Sequence, residues 1–236
     1  MQIRLNKFLA QSGICSRRAA DKLIEEGRVF VNGKIVKELG VKIDPEKDQI
    51  SLNKKILKPA QEIVYYAINK PVGYTSTSED KFAAKKVTDL VSKNPRVFAV
   101  GRLDKNSEGL MILTNDGELT NRLTHPKFGH EKEYEVVCRY FNMGKARAEE
   151  KILIFKKGIM LSDGRTYPAT ISNIIVEKNI IKFNISIHEG RKRQIRRMCD
   201  RIKMEVVSLK RVRIGKLLLD DLKTGSYKKI SKEEII

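Results

Sequence analysis

The apolar positions at the start of the chain keep a helical spacing and then change period. Leu5, Phe8 and Leu9 fall at i, i+3 and i+4, one face of a helix over residues 4–11. Gly13 follows, where a helix ending favours glycine. Ser16 is placed to cap a second helix over 17–26, with Ala19, Ala20, Leu23 and Ile24 as its stripe and Gly27 at its end. Arg28-Val29-Phe30-Val31 and Lys34-Ile35-Val36 then flank Asn32-Gly33, a strong hairpin signal. The pattern predicts a helix-helix-hairpin module over residues 1–60. A linker over 54–61, in which Pro59 blocks regular structure, connects it to a second domain over 61–236.

The second domain reads differently. Residues 62–69 (EIVYYAIN) form a β-branched and aromatic run that Lys70-Pro71-Val72-Gly73 terminates. Helices are predicted over 85–93, 118–124, 145–155 and 192–203. Strands are predicted over 97–101, 110–114, 131–140, 166–176, 179–187 and 205–214. In the strand over 179–187 the alternation of Ile181, Phe183, Ile185 and Ile187 is plain. Strands dominate and few strand-helix-strand repeats occur, so the fold class is α+β with a mixed, mostly antiparallel sheet.

Charge narrows the partner. The chain carries 48 Lys/Arg against 29 Asp/Glu, a net +19 over 236 residues, which points to a polyanion, nucleic acid before membrane. Residues 1–60 hold 13 Lys/Arg and 7 Asp/Glu, a net +6. From His188 to Lys216, 11 Lys/Arg face 3 Asp/Glu, a net +8. No apolar run reaches the roughly 18 residues of a membrane span, and charges interrupt the N-terminus where a secretory signal would be apolar. Cys15, Cys138 and Cys199 are odd in number and far apart, and His125, His130 and His188 have no metal-ligand spacing. The expectation is a cytoplasmic protein with reduced thiols, no membrane, no metal, no nucleotide cofactor and no other cofactor, and a monomer.

Candidate chemistry centres on residues 100–117, VGRLDKNSEGLMILTNDG. Asp104 is a lone carboxylate between Arg102 and Lys105, in a loop before a buried strand, and a rigid strand edge is a good place to hold a reactive group. A loop aspartate can equally cap a turn or pair with Arg102. Tyr134, in HEKEYEV, reads on its own as an ordinary strand aromatic. In EGRKRQIRRM, Ile195 and Met198 mark a buried helical face, and Arg196 lies beside it, where a buried guanidinium would need a carboxylate partner.

These segments together resemble a known family. GRLDKNSEGL, NKPVGYTST, Lys132-x-Tyr134 and the QIRRM run are similar to the motifs of a family of ribosomal RNA pseudouridine synthases. Its A type belongs to the small ribosomal subunit, its B, E and F types to the large. The motifs stand closest to the B/F branch of the large-subunit types. The first sixty residues resemble the S4 RNA-binding domain almost position by position. The resemblance covers about residues 2–230. It implies site-specific isomerisation of uridine to pseudouridine in ribosomal RNA or a pre-ribosomal particle, with the base flipped from its stack. Asp104 would be the catalytic residue, Tyr134 would lie against the base, and Arg196 would pair with Asp104 and keep it ionised. RNA contacts would come from Arg4, Lys7, Arg17 and Arg18 in the first module. In the second they would come from Arg102, Lys132, Arg191, Arg193 and Arg197. The alternatives are a small-subunit rRNA enzyme and a non-catalytic S4-type ribosome-assembly protein.

Overall fold

The computed structural model describes residues 1–58, 62–77, 84–92, 94–125, 128–142 and 144–236. The chain divides into two compact units, 1–64 with 92–97, and 65–91 with 98–236. The return of 92–97 to the first unit was not expected from sequence. Pro59 and the end of the expected linker lie outside the described residues.

In the first unit, β1 (Ile3–Arg4) leads into α1 (Leu5–Gln11) and α2 (Arg17–Glu25). Ser16 caps α2, its hydroxyl accepting from Ala19 N at 3.2 Å, a contact of the kind that contributes about 1 kcal/mol. Strands β2 (Val29–Val31) and β3 (Lys34–Val36) form the hairpin, with Asn32 and Gly33 both at positive φ as this tight turn requires. Short strands β4 (Lys42–Ile43), β5 (Ile50–Leu52) and β6 (Lys55–Ile56) complete the unit. The sheet order is β3-β2-β5-β6, with β4 on β1. Leu5, Phe8, Leu9, Ala20, Ile24, Val29, Ile43 and Ile50 are its buried core. The expected linker therefore begins in the turn of the β5–β6 hairpin and runs through β6. Segments of two or three residues show too little periodicity to be seen in sequence.

The second unit is built on one sheet. Its strands are β7 (Tyr65–Lys70), β8 (Phe98–Ala99), β9 (Glu108–Thr114), β10 (Lys132–Tyr140), β13 (Thr170–Glu177), β14 (Ile180–Ile187), β15 (Met204–Ile214), β16 (Leu217–Leu218) and β17 (Tyr227–Lys229). The hairpin β11 (Met160–Leu161) and β12 (Gly164–Arg165) stands apart from it. The sheet order is β13-β14-β10-β15-β9-β7-β17, with β16 on β15 and β8 on β9. Pairing is antiparallel throughout except at one seam, where β9 runs parallel to β15. Helices α3 (Gly117–Thr124), α4 (Lys145–Leu153) and α5 (Gln194–Arg201) join these strands. The central strand β9 buries Leu110, Met111, Ile112 and Leu113 completely. An unalternating apolar run is what a strand covered on both faces requires.

Several boundaries move for identifiable reasons. Over 85–93 only a 3-10 turn forms, Val87–Leu90. β-Branched Val87, Thr88 and Val91 lower helix propensity, and the Asp89 carboxylate folds back onto Lys86 N at 2.9 Å. Helix α5 starts at Gln194 because Arg193 is left-handed, φ 51°. The strand expected from residue 166 starts at Thr170. Thr166 is occupied with Ile159, accepting from its N through Oγ1 and donating N–H to its O, both at 2.9 Å. No helix among the described residues is long and apolar enough to cross a membrane.

Candidate functional site

One transverse row of the sheet carries the site. On β10, Tyr134 pairs with Arg211 of β15; Arg211 pairs with Gly109 of β9; Gly109 pairs with Lys70 of β7. Side chains at directly paired positions leave the same face of a sheet, so Tyr134, Arg211 and Lys70 share one. The alignment of the first two depends on a bulge, since Glu133 pairs with Arg213 while Tyr134 pairs with Arg211, leaving Val212 over. Gly109 is needed for close approach. It has φ 104°, and a Cβ there would stand 2.3 Å from Arg211 O.

Asp104 is presented on the loop before β9, and its backbone is tied down on every side. Ser76 Oγ accepts from Leu103 N at 3.0 Å and donates to Leu103 O at 2.7 Å. Gly73 N donates to Lys105 O at 2.8 Å, and Ser107 N to Asp104 O at 3.0 Å. Lys70 is fully buried and its Nζ donates to Ser107 O at 2.6 Å and to Pro71 O at 2.9 Å. Arg196 Nη2 donates to Asn106 O at 2.7 Å. The Asp104 side chain remains about one-third exposed.

The expected ion pair between Arg196 and Asp104 is absent. Arg196 is 9% exposed, and its donors go to Asn106 O, to Ser107 Oγ at 3.4 Å and to Val206 O at 3.2 Å. Backbone carbonyls and a hydroxyl thus take the Arg196 Nη donors in place of a carboxylate, while its buried Nε has no hydrogen-bond partner among the described residues. The cation nearest the carboxylate is Arg193, its Nη1 at 3.9 Å from Asp104 Oδ2. Arg193 belongs to the residues expected to touch RNA, and its left-handed backbone sets it just before α5.

Asp104 and Arg193 line a cleft of about 540 Å³ together with Arg102, Leu103, Lys132, Tyr134, His188 and Arg211. Burial, then the charge of Arg211, lowers the Lys132 ammonium. Burial brings Lys70 down to about 8, Glu108 and Asp104 opposing and Arg211 adding to the effect. Burial also lowers His130, with Lys132 and Arg122 pushing the same way. The cleft thus sets the Asp104 carboxylate among crowded cations.

The other expected RNA contacts divide. Arg102 is exposed. Arg191 donates to Glu189 Oε2 at 2.9 Å and to the carbonyls of Asp163, Gly164 and Arg165, and Arg197 forms a bidentate pair with Asp163 at 2.9 and 3.0 Å. Both hold the β11–β12 hairpin against the start of α5 and have few donors left for phosphate. In the first unit Arg4, Arg17 and Arg18 are exposed and Lys7 half-buried.

Sequence reading missed Lys70, Ser76 and Arg211. The signal for Arg211 was present: period-2 alternation from buried Leu209 puts it inward. The basic cluster Lys210, Arg211 and Arg213 in this strand was read only as part of a charged surface.

A basic cleft around a loop carboxylate, on a mixed sheet that follows a small basic α/β module, defines a protein that handles RNA. Comparison with known proteins makes this specific. Residues 64–201 match the model of the RNA pseudouridylate synthase family, and residues 3–50 match that of the S4 domain. The chain is 40% identical to an uncharacterized RNA pseudouridine synthase of Aquifex aeolicus, over 100% of this chain and 93% of that protein. It is 40% identical to ribosomal large subunit pseudouridine synthase B of Bacillus subtilis, over 98% and 93%. With the dual-specificity RNA pseudouridine synthase RluF of Escherichia coli K12 it shares 38%, over 99% and 77%. A crystal structure of a pseudouridylate synthase superposes with a TM-score of 0.66 at 31% identity, covering 99% of this chain and 98% of that one. The chain belongs to the RNA pseudouridylate synthase family and carries an S4 domain at its N-terminal end.

Proposed function

We propose that this enzyme isomerises a single uridine of large-subunit ribosomal RNA, with Asp104 as the reactive carboxylate. The observation that carries the reading is the loop around Asp104, fixed by Ser76, Gly73, Lys70 and Arg196 while the carboxylate stays open to the cleft. A reactive group held by its backbone keeps its side chain free for chemistry.

The reaction breaks the N1–C1′ bond, turns the uracil and joins C1′ to C5. The proton that leaves C5 is balanced by one gained at N1, and no redox change is involved. Asp104 either attacks C1′ as a nucleophile or removes the C2′ proton. Arg193 Nη1, 3.9 Å from Asp104 Oδ2, places a positive charge beside the carboxylate that both routes use. Tyr134 offers its ring to the flipped base and its hydroxyl as donor and acceptor. Arg4, Lys7, Arg17 and Arg18 contribute phosphate contacts from the S4 domain, and Arg102 and Lys132 from the cleft. The name of the Bacillus subtilis relative and the B/F-like motifs support large-subunit RNA as the substrate. The enzyme works as a monomer in the cytoplasm, on free rRNA or a pre-ribosomal particle.

The test is pseudouridine mapping of the host's ribosomal RNAs with and without the gene. Loss of one large-subunit site is expected. Loss of a small-subunit site would overturn the choice of RNA, and no loss in either would overturn the ribosomal substrate.

A further inference from the structure

Arg211 has no role in the chemistry above, yet its position is unusual. It is 2% exposed. It lines the same cleft as Asp104 and Tyr134. Its Nε donates to Leu110 O at 2.7 Å, which fixes the guanidinium plane. Its Nη2 is buried and has no hydrogen-bond partner among the described residues. A guanidinium left with a free, desolvated donor is costly unless something else takes that donor. Strand pairing sets it beside Tyr134, on the face where the proposed base would lie. Burial, then the charge of Arg211, lowers the ammonium of Lys132, which lines the same cleft.

We propose that Arg211 binds a carbonyl oxygen of the flipped uracil and stabilises that base as it leaves. When the N1–C1′ bond breaks heterolytically the electron pair goes to N1, and the resulting uracilate spreads its charge over O2 and O4. This is true whether Asp104 attacks C1′ or takes the C2′ proton, so the role does not depend on that choice. A fixed cation aimed at charge that develops only in the transition state accelerates the step without tightening ground-state binding. A phosphate is the poorer candidate, because the row that carries Arg211 also carries buried Lys70 and Tyr134, and the flat base reaches deeper than the backbone. The inference rests on the cleft being the uridine-isomerising site.

The test uses full-length protein and the transcript that mapping identifies, in single turnover, with RNA affinity and melting temperature measured alongside. Wild type must form pseudouridine; if it does not, the proposed function fails and this inference with it. With wild type active, Arg211→Met is expected to slow the step by about a hundredfold or more, with RNA affinity within about threefold. Arg211→Lys is expected to recover part of the loss, and added methylguanidine to restore Arg211→Ala without raising its melting temperature. A rate for Arg211→Met within tenfold of wild type overturns the role. So does a parallel fall of rate and affinity, which would make Arg211 a ground-state RNA contact. Absence of any recovery by lysine or guanidinium would make it a strut for β15. Should the variants not fold, inhibition of wild type decides. 5-Nitrouracil, anionic near neutral pH, should inhibit at least tenfold more strongly than uracil, and equal or no inhibition by both rejects the proposal.

Discussion

A carboxylate that reacts cannot also be the anchor of its own loop. In this protein the anchoring falls to neighbours: two cations, Lys70 and Arg196, hold carbonyls of the Asp104 loop rather than the carboxylate itself. Asp104→Asn keeps the shape and removes the charge. Pseudouridine formation should fall by roughly a thousandfold or more, while a filter-binding assay finds RNA affinity nearly intact; appreciable turnover would remove Asp104 from the reaction. Tyr134→Phe separates stacking from proton handling, since only the hydroxyl is lost; a near-normal single-turnover rate would leave stacking alone. Lys70 gives a pH signature. Its folded pKa, about 8, lies below the ordinary 10.5, so the unfolded chain holds the extra proton between those values and stability rises with pH there. The destabilisation from burying the charged form is complete below pH 8. Relative to Lys70→Met, wild type should therefore gain stability as pH climbs from 8 to 10.5, by up to about 1.4 kcal/mol per unit. Urea titrations at pH 7.5 and 9.5 would measure the difference, and parallel curves would contradict the burial.

At the scale of the element, the row Tyr134–Arg211–Gly109–Lys70 explains why the site is intolerant of register change. Gly109→Ala places a methyl group against the Arg211 backbone and forces a side chain into a positive-φ position. A loss of more than about 2 kcal/mol is expected from chemical denaturation, with turnover falling faster than stability because Asp104 and Arg211 move apart. A stable, active Gly109→Ala would mean the strands have slack the geometry denies. The long elements were legible in sequence because their periodicity is long: α2, β9, β10 and β14 lie within a few residues of expectation. The site was legible as three motifs and no further. Asp104 and Tyr134 could be named because they resemble residues of a family. The Arg196 pairing went astray because sequence cannot say which of several acceptors a buried guanidinium will find. Lys70 and Arg211 escaped because only strand pairing brings them beside residues so distant in the chain.

At the scale of the whole molecule, the charge is divided between the S4 domain and the catalytic domain, and salt can tell which part holds RNA. Changing Arg4, Lys7, Arg17 and Arg18 together to Gln should flatten the plot of log affinity against log salt by up to about 3, at ~0.7 per single-stranded phosphate contact. Catalysis at saturating RNA should be little altered. An unchanged slope would mean these side chains do not meet phosphate. The parallel seam between β9 and β15 bears on a different matter, the order in which the protein can be made. Strand β9 is complete at Thr114, but its parallel neighbour does not begin until Met204. Until then the Glu108–Gly109 end of β9 lacks the partner that β15 supplies, although β8 already covers Leu113 and Thr114, and that stretch of open edge is a template for pairing with other chains. Contacts so distant in sequence form slowly, and expression should therefore depend on chaperone supply and on temperature more than the final stability suggests. The catalytic centre cannot form before β15 joins the sheet, so a ribosome-bound chain that has not yet released β15 holds an assembled RNA-binding module and no working active site.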